Sequence, residues 1–153
     1  MSSENAKALR DELAEQARAL QTAVDAVDAA AAARLGVNRT DLACLDVLTQ
    51  RESAAPSELG AALKLTTGSV TTMLDRLVRM GYVTRTPHPE DRRKAIIQTT
   101  DKARRELIEI YGPLAEEGRR MIDRYSVDEV RLLLDFMRNS RETQERHMAR
   151  ILP

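Results

Sequence analysis

Tryptophan is missing from this chain of 153 residues, phenylalanine occurs once and tyrosine three times. A core with so few rings has to be packed from Leu, Val, Ile, Met and Ala, a set that favours helices. Cysteine is nearly absent too: Cys44 stands alone, which excludes an internal disulfide and suits a reducing, cytoplasmic compartment. The two histidines, His88 and His147, are too few for a metal site of three or four ligands. No apolar run approaches the ~18 residues of a membrane span. The opening MSSENAKALRDE lacks the basic-then-apolar order of a signal peptide, so no membrane partner is expected. Gly-rich phosphate loops, nucleophile elbows and triad spacings are also missing. No catalytic residue, metal or cofactor is expected.

Net charge is the last absence, since 24 basic residues balance 24 acidic ones. The balance is uneven along the chain. Residues 1–35 carry four basic and six acidic groups, residues 36–100 nine and seven, and residues 101–153 eleven of each. Between Lys64 and Lys94 the count is seven basic against three acidic. A positive excess confined to one segment marks that segment as the place to look for a polyanion-binding element.

Apolar periodicity predicts a mainly α fold with a small β-wing. Leu9, Leu13, Ala17, Leu20, Val24, Val27 and Ala31 form a narrow stripe on one helix over Asn5–Leu35, which at 1.5 Å per residue is about 45 Å long. A domain of this size cannot cover such a helix, so it is expected to pack against a second subunit. Gly36 ends it. Thr40 is a plausible N-cap for a helix from Asp41 to Gln50, with Leu42, Leu45, Val47 and Leu48 inward. Arg51–Ala55 reads as a connection, and Pro56 suits the first turn of a short helix, Ser57–Leu63. After a three-residue turn, Thr66 caps a helix over Thr67–Met80, which Gly81 terminates. Two short helices joined this way form a helix-turn-helix. The runs YVTRT (Tyr82–Thr86) and KAIIQT (Lys94–Thr99) flank PHPEDRR and predict a hairpin with a stiff, charged loop. Thr99 or Thr100 caps a helix over Asp101–Arg124, expected to kink or divide at Gly112-Pro113. Ser126 with Glu129 forms a capping box for the last helix. The expected division is a dimerisation helix over residues 1–35, a winged helix-turn-helix over 36–100 and dimerisation helices over 101–153.

The helix after Thr66 has two distinct faces. At 100° per residue, Val70, Met73, Leu74, Leu77, Val78 and Met80 fall on one side. Gly68, Thr72, Asp75 and Arg79 point away, flanked by Ser69, Thr71 and Arg76. A small, polar leading half followed by basic residues suits a helix that must approach base edges in a major groove. Thr66, Thr67 and Gly68 open the free first turn, where backbone amides attract phosphate. Ser69, Thr71 and Thr72 are candidate donors to phosphate or bases. Arg76 is long enough to span two acceptors on guanine, and Arg79 suits the DNA backbone. In the hairpin, His88, Arg92, Arg93 and Lys94 are the candidate contacts, with arginine entering a narrow minor groove. Asp75 and Asp91 are assigned orienting roles, Asp75 towards a wing arginine.

The segment TTGSVTTMLDRLVRMGYVTRTPHPEDRRKAIIQTT resembles the winged helix-turn-helix of the MarR family of bacterial transcriptional regulators. The shared elements are V-T-x-x-L-D-R-L (Val70, Thr71, Leu74, Asp75, Arg76, Leu77), the exit G-Y-V-x-R and the wing D-x-R of Asp91 and Arg93. The resemblance implies a homodimer with interlocked terminal helices that binds pseudo-palindromic operators on double-stranded DNA. It also implies release by a small anionic or phenolic effector or, in some members, by cysteine oxidation. Three features depart from the family's pattern: Ala55 stands where a Ser or Thr cap often precedes the proline, Thr99 replaces an apolar residue, and Cys44 lies far from the N-terminus. The last argues against thiol sensing.

Cys44 lies on an apolar helix face and reads as core. Leu20, Val24 and Tyr111 are candidate linings of an effector pocket, with Arg39 as the anion partner. Two function classes follow: a DNA-binding regulator, expected to repress, and a winged helix used only for protein contact or dimerisation. The polar face at Ser69–Thr72 favours the first, because a protein-binding helix exposes apolar anchors.

Overall fold

The computed structural model describes residues 3–88, 90–91 and 94–151. Its elements run α1 (Ser3–Leu35), α2 (Arg39–Arg51), α3 (Pro56–Leu63), α4 (Thr67–Arg79), β1 (Val83–Pro87), β2 (Ala95–Thr99), α5 (Asp101–Ile122) and α6 (Val127–Ile151). The fold is therefore mainly helical with a two-stranded wing, as the periodicity predicts. It divides into two units, residues 1–108 and 109–153.

In the first unit, glycines stop the two helices where the sequence places them. Gly36 (φ 67°) and Gly81 (φ 74°) adopt the left-handed conformation that a side chain resists. Around them, the Val37 amide reaches the Ala32 carbonyl and the Tyr82 amide the Leu77 carbonyl, both at 2.9 Å. The start of α2 differs from expectation. Asn38, not Thr40, is the cap: its side chain accepts from the Asp41 amide at 2.8 Å, and the Asp41 carboxylate accepts from the Asn38 amide at 3.2 Å. This reciprocal box begins the helix two residues earlier, and Asn caps at least as well as Thr.

The helix-turn-helix packs closely because Gly60 carries no side chain. A Cβ there would lie 3.2 Å from Val70 Cγ2 and 3.4 Å from the Leu65 carbonyl oxygen. Lys64 takes the left-handed turn (φ 55°), and Leu65 donates to the Gly60 carbonyl at 2.9 Å. At the head of α3 the missing hydroxyl of Ala55 is replaced on one side only: the Glu58 carboxylate accepts from the Ala55 amide at 2.6 Å. Pro56 removes one of the other orphan donors.

Leu42, Cys44, Leu45, Leu48, Leu59, Val70, Met73, Leu74, Leu77, Tyr82, Val83, Ile97 and Ala103 form the core, joined by Ala31, Ala32 and Leu35 from the end of α1. Fully burying each large apolar side chain contributes about 1.5–3 kcal/mol. Three of the expected inward residues are not buried. Val47 and Met80 are only half-buried and Val78 is 42% exposed, because Val78 lies at the edge of the α4 stripe, one residue step from Leu77. Asp41, by contrast, is fully buried.

The wing strands pair antiparallel from Val83 opposite Thr99 to Pro87 opposite Ala95. The segment read as a plain connection contributes to the same sheet: Ala54 bridges Ile97, with hydrogen bonds of 3.1 and 2.9 Å. Thr99 is buried, and its hydroxyl accepts from Arg104 Nη1 at 3.1 Å. Thr100 caps α5 by accepting from the Ala103 amide and donating to the Gly81 carbonyl at 2.7 Å.

Of the two expected outcomes at Gly112-Pro113, division does not occur: α5 is one helix containing Pro113. Proline removes a single amide from the ladder, and the strong helix formers on both sides outweigh that loss. In the second unit Ser126 and Glu129 form the expected capping box before α6. Among its described residues α6 buries none; Val127, Leu132, Leu133, Leu134, Phe136 and Met137 are all exposed.

Candidate nucleic-acid interface

The first turn of α4 is organised by Thr66. Its hydroxyl accepts from the Ser69 amide at 3.3 Å and lies 2.9 Å from the Ser69 hydroxyl. One of the four orphan amides is thereby satisfied, and the others remain at the helix start with its positive dipole end. No acidic residue stands in this turn, while Arg76 and Arg79 lie in the last. Gly68 has no left-handed φ, and a Cβ added there would meet nothing within 4 Å. Neither backbone nor packing inside the chain requires glycine at this position, so the space outside the first turn is open to a ligand's close approach.

In the free chain the hydroxyls of the two threonines bond back to their own helix. Thr71 Oγ1 donates to the Thr67 carbonyl and Thr72 Oγ1 to the Gly68 carbonyl, both at 3.1 Å. In this arrangement the hydroxyls face outward with their lone pairs. They suit an amino group on a base edge better than a phosphate oxygen.

Arg76 is held from behind. Its Nε lies 2.8 Å from Asp41 Oδ2 and its Nη2 2.6 Å from Asp41 Oδ1, a bidentate pair between α4 and α2. The Asp41 side chain is fully buried, whereas that of Arg76 is 35% exposed. The hydrogen bonds from Asp41 push the Arg76 pKa up, against the smaller opposing effect of burial. Asn38, Thr40, Gly68, Ser69, Thr72 and Arg76 line an open groove of about 450 Å³ between the starts of α2 and α4, with Leu65 and Met73. Thus Asn38, Thr40 and Asp41 belong with the α4 face, although their local sequence marks them only as the start of a helix. The Asn38-to-Asp41 capping spacing was a visible signal; the pairing of Asp41 with a residue 35 positions away was not.

Arg79 donates from Nε to the Asp75 carbonyl at 3.3 Å and is otherwise exposed, as is the Asp75 side chain. In the wing, the His88 amide donates to the Lys94 carbonyl at 2.8 Å and the Lys94 amide to the Asp91 carbonyl at 2.9 Å. His88 Nδ1 accepts from the Glu90 amide, and Lys94 forms a loose 3.9 Å ion pair with Asp91. His88, Asp91 and Lys94 are therefore brought together at the tip. Arg92 and Arg93, together with the pairing of Asp75 with either of them, lie outside the described residues.

The base of the wing is fixed through Tyr82, whose hydroxyl lies 2.9 Å from both the Leu35 carbonyl and Glu106 Oε2. Burial, then the carboxylate, pushes its pKa up to about 12. Lys102 sits 4.5 Å above the ring and donates to the Met80 carbonyl. Cys44 is a core residue as expected, its thiol pushed up to about 12 by burial and by Asp41.

The candidate effector residues are differently placed. Leu20 and Val24 are exposed on α1, Arg39 is paired with Asp25 at 2.9 Å, and Tyr111 is half-buried on α5 in the second unit.

Comparison with known proteins adds an independent line. The MarR family model matches residues 37–95. The HTH-type transcriptional regulator YcgE of Bacillus subtilis (strain 168) is 32% identical over 152 residues, 99% of each chain. Among solved structures, YusO of B. subtilis superposes with a TM-score of 0.63 at 20% identity, covering 93% of this chain and 99% of YusO. A mutant of MarR from E. coli complexed with operator DNA matches at 0.52 and 21% identity, covering 85% of this chain and 96% of that one. At these identities the structural matches establish the fold.

Proposed function

The chain belongs to the MarR family of winged helix-turn-helix transcriptional regulators, and we propose from that premise that it acts as a homodimer on pseudo-palindromic operators. The family is one of regulators and not of enzymes. In this reading the outward face of α4 enters the major groove, with Gly68, Ser69, Thr71, Thr72 and Arg76 towards the bases and Thr66, Thr67 and Arg79 near phosphate. The wing residues His88, Arg92, Arg93 and Lys94 follow the flanking minor groove, with Asp75 and Asp91 in orienting roles.

The observation that carries the proposal is the α4 face itself. Its principal apolar residues are buried, its leading outward half is small and polar, and the open space beyond Gly68 leaves room for a partner's surface to come close. The MarR mutant solved on operator DNA uses the same fold. Apolar surface supports the dimer: Leu9, Leu13, Leu20, Val24 and Val27 on α1 are 38–60% exposed, and the α6 face is uncovered. Monomeric soluble proteins rarely leave apolar stripes of this extent in water. A second copy of the chain is the proposed cover, in a cytoplasmic setting; among the described residues no helix is long and apolar enough to cross a membrane.

A dimer seated on a promoter competes with polymerase, which makes repression the proposed sign of regulation. The family layout extends the proposal to release by a small anionic or phenolic effector. An anion reaching Arg39 must displace Asp25, which costs little for so exposed a pair. The test is binding of the full chain to the promoter of its own or an adjacent gene as salt is varied. Log K should fall linearly with log salt, by about 0.9 per phosphate contacted. Salt-independent binding, or none to any fragment of the source genome, leaves the protein-contact reading instead.

A further inference from the structure

We propose that Asp41 is a positioning residue for base recognition: it grips one edge of the Arg76 guanidinium so that the other edge is presented to a guanine in the major groove. This rests on the DNA-binding reading of α4 and assigns a specificity role to a residue on a different helix. A guanidinium has five N–H groups on a planar frame. Asp41 engages Nε and Nη2, one hydrogen on each. The second hydrogen of Nη2 and both hydrogens of Nη1 remain, and the Nη1–Nη2 edge is the end-on pair that matches the O6 and N7 acceptors of guanine. The pair with Asp41 therefore leaves the reading edge intact while stopping rotation of the side chain.

The surroundings support this division. Asp41 is fully buried and itself fixed by the Asn38 amide at 3.2 Å, so its carboxylate cannot follow Arg76 if the latter swings. Arg76 reaches the open groove beside Gly68, Ser69 and Thr72, where no other side chain is long enough to span two acceptors. A free arginine searches many rotamers and pays for each on binding. One held from behind loses little on meeting its base, and a base without two acceptors is rejected because the fixed donors stay unpaired.

The experiment selects a preferred duplex from a random pool with the full wild-type chain, then measures affinity for that duplex and for a scrambled one. Asp41→Asn, which keeps the shape but places an amide against the guanidinium, should lower the preferred-to-scrambled ratio by about tenfold, concentrated at one guanine. Arg76→Lys, which keeps the charge opposite Asp41 but loses the planar fork, should lower it similarly. Folded Asp41→Asn with an unchanged ratio, or with equal loss on both duplexes, overturns the inference. If Asp41→Asn does not fold, Arg76→Lys decides, and an unchanged ratio overturns it. A wild-type chain that binds no duplex overturns the DNA-binding reading itself, a result distinct from a discriminating wild type with an equally discriminating variant.

Discussion

Asp41 stands where local rules would put a surface charge, third in the first turn of an amphipathic helix, yet it is fully buried. Its stability role is separable from any role on DNA. Removing the partner with Arg76→Ala strands a buried carboxylate and should cost about 3–5 kcal/mol in urea unfolding. Replacing both at once, Asp41→Leu with Arg76→Met, should cost far less, because apolar replacement of a buried pair is often neutral. Equal losses in the two proteins would show that stranding the Asp41 carboxylate carries no penalty of its own. Cys44 gives a second residue-scale prediction. With its thiol fully buried and pushed up to about 12, it should resist alkylation in the native protein and react only after unfolding; fast native labelling would contradict its place in the core. Cys44 and Tyr82 also predict alkaline sensitivity. Each is held neutral in the fold, with a pKa raised from 9.0 or 10.0 to about 12. The unfolded chain therefore loses these protons first, so their contribution is complete below about pH 9 and is lost as pH rises towards 12. Melts at rising pH should show the decline, and Tyr82→Phe with Cys44→Ala should flatten it.

At the scale of elements, Gly68 separates folding from binding most cleanly. Gly68→Ala fills open space on a helix and should stabilise α4 by about 0.5–1 kcal/mol while weakening DNA binding. A stabilised protein with undiminished affinity would mean that no backbone approach occurs there. Thr66→Ala should cost about 1 kcal/mol through loss of the cap, measurable in the same unfolding assay. The α4 face, the Thr66 cap, the Gly36 and Gly81 stops and the wing were legible in the sequence because each depends on spacing within a few residues. Asn38 and Thr40 compete as caps within three positions, and only the reciprocal bond with Asp41 separates them. The Ala54 bridge to Ile97 and the Arg76–Asp41 pair join residues some 35 to 43 positions apart, and no local pattern encodes such pairings. Thr71 and Thr72 were legible as polar and outward, but the direction of their hydroxyl bonds depended on helix geometry. At Pro113 the local rule against proline was legible and was outweighed by its flanks.

For the whole molecule, the exposed apolar stripe on α1 is the basis of the proposed dimer. Deleting residues 1–30 should abolish the soluble dimer; a well-behaved DNA-binding monomer would contradict the packing assigned to α1. A symmetric dimer sets its two α4 helices into successive major grooves on one side of the duplex, about one turn or 10–10.5 base pairs apart. Methylation of guanine N7, which projects into the major groove, reports directly on that placement. With the full chain bound to its selected duplex, interference by N7 methylation should fall in two clusters about 10 base pairs apart, and Arg76→Lys should erase the strongest guanine in each. A single cluster, no interference by N7 methylation, or a pattern unchanged by Arg76→Lys would contradict the account of α4 as the paired reading helix.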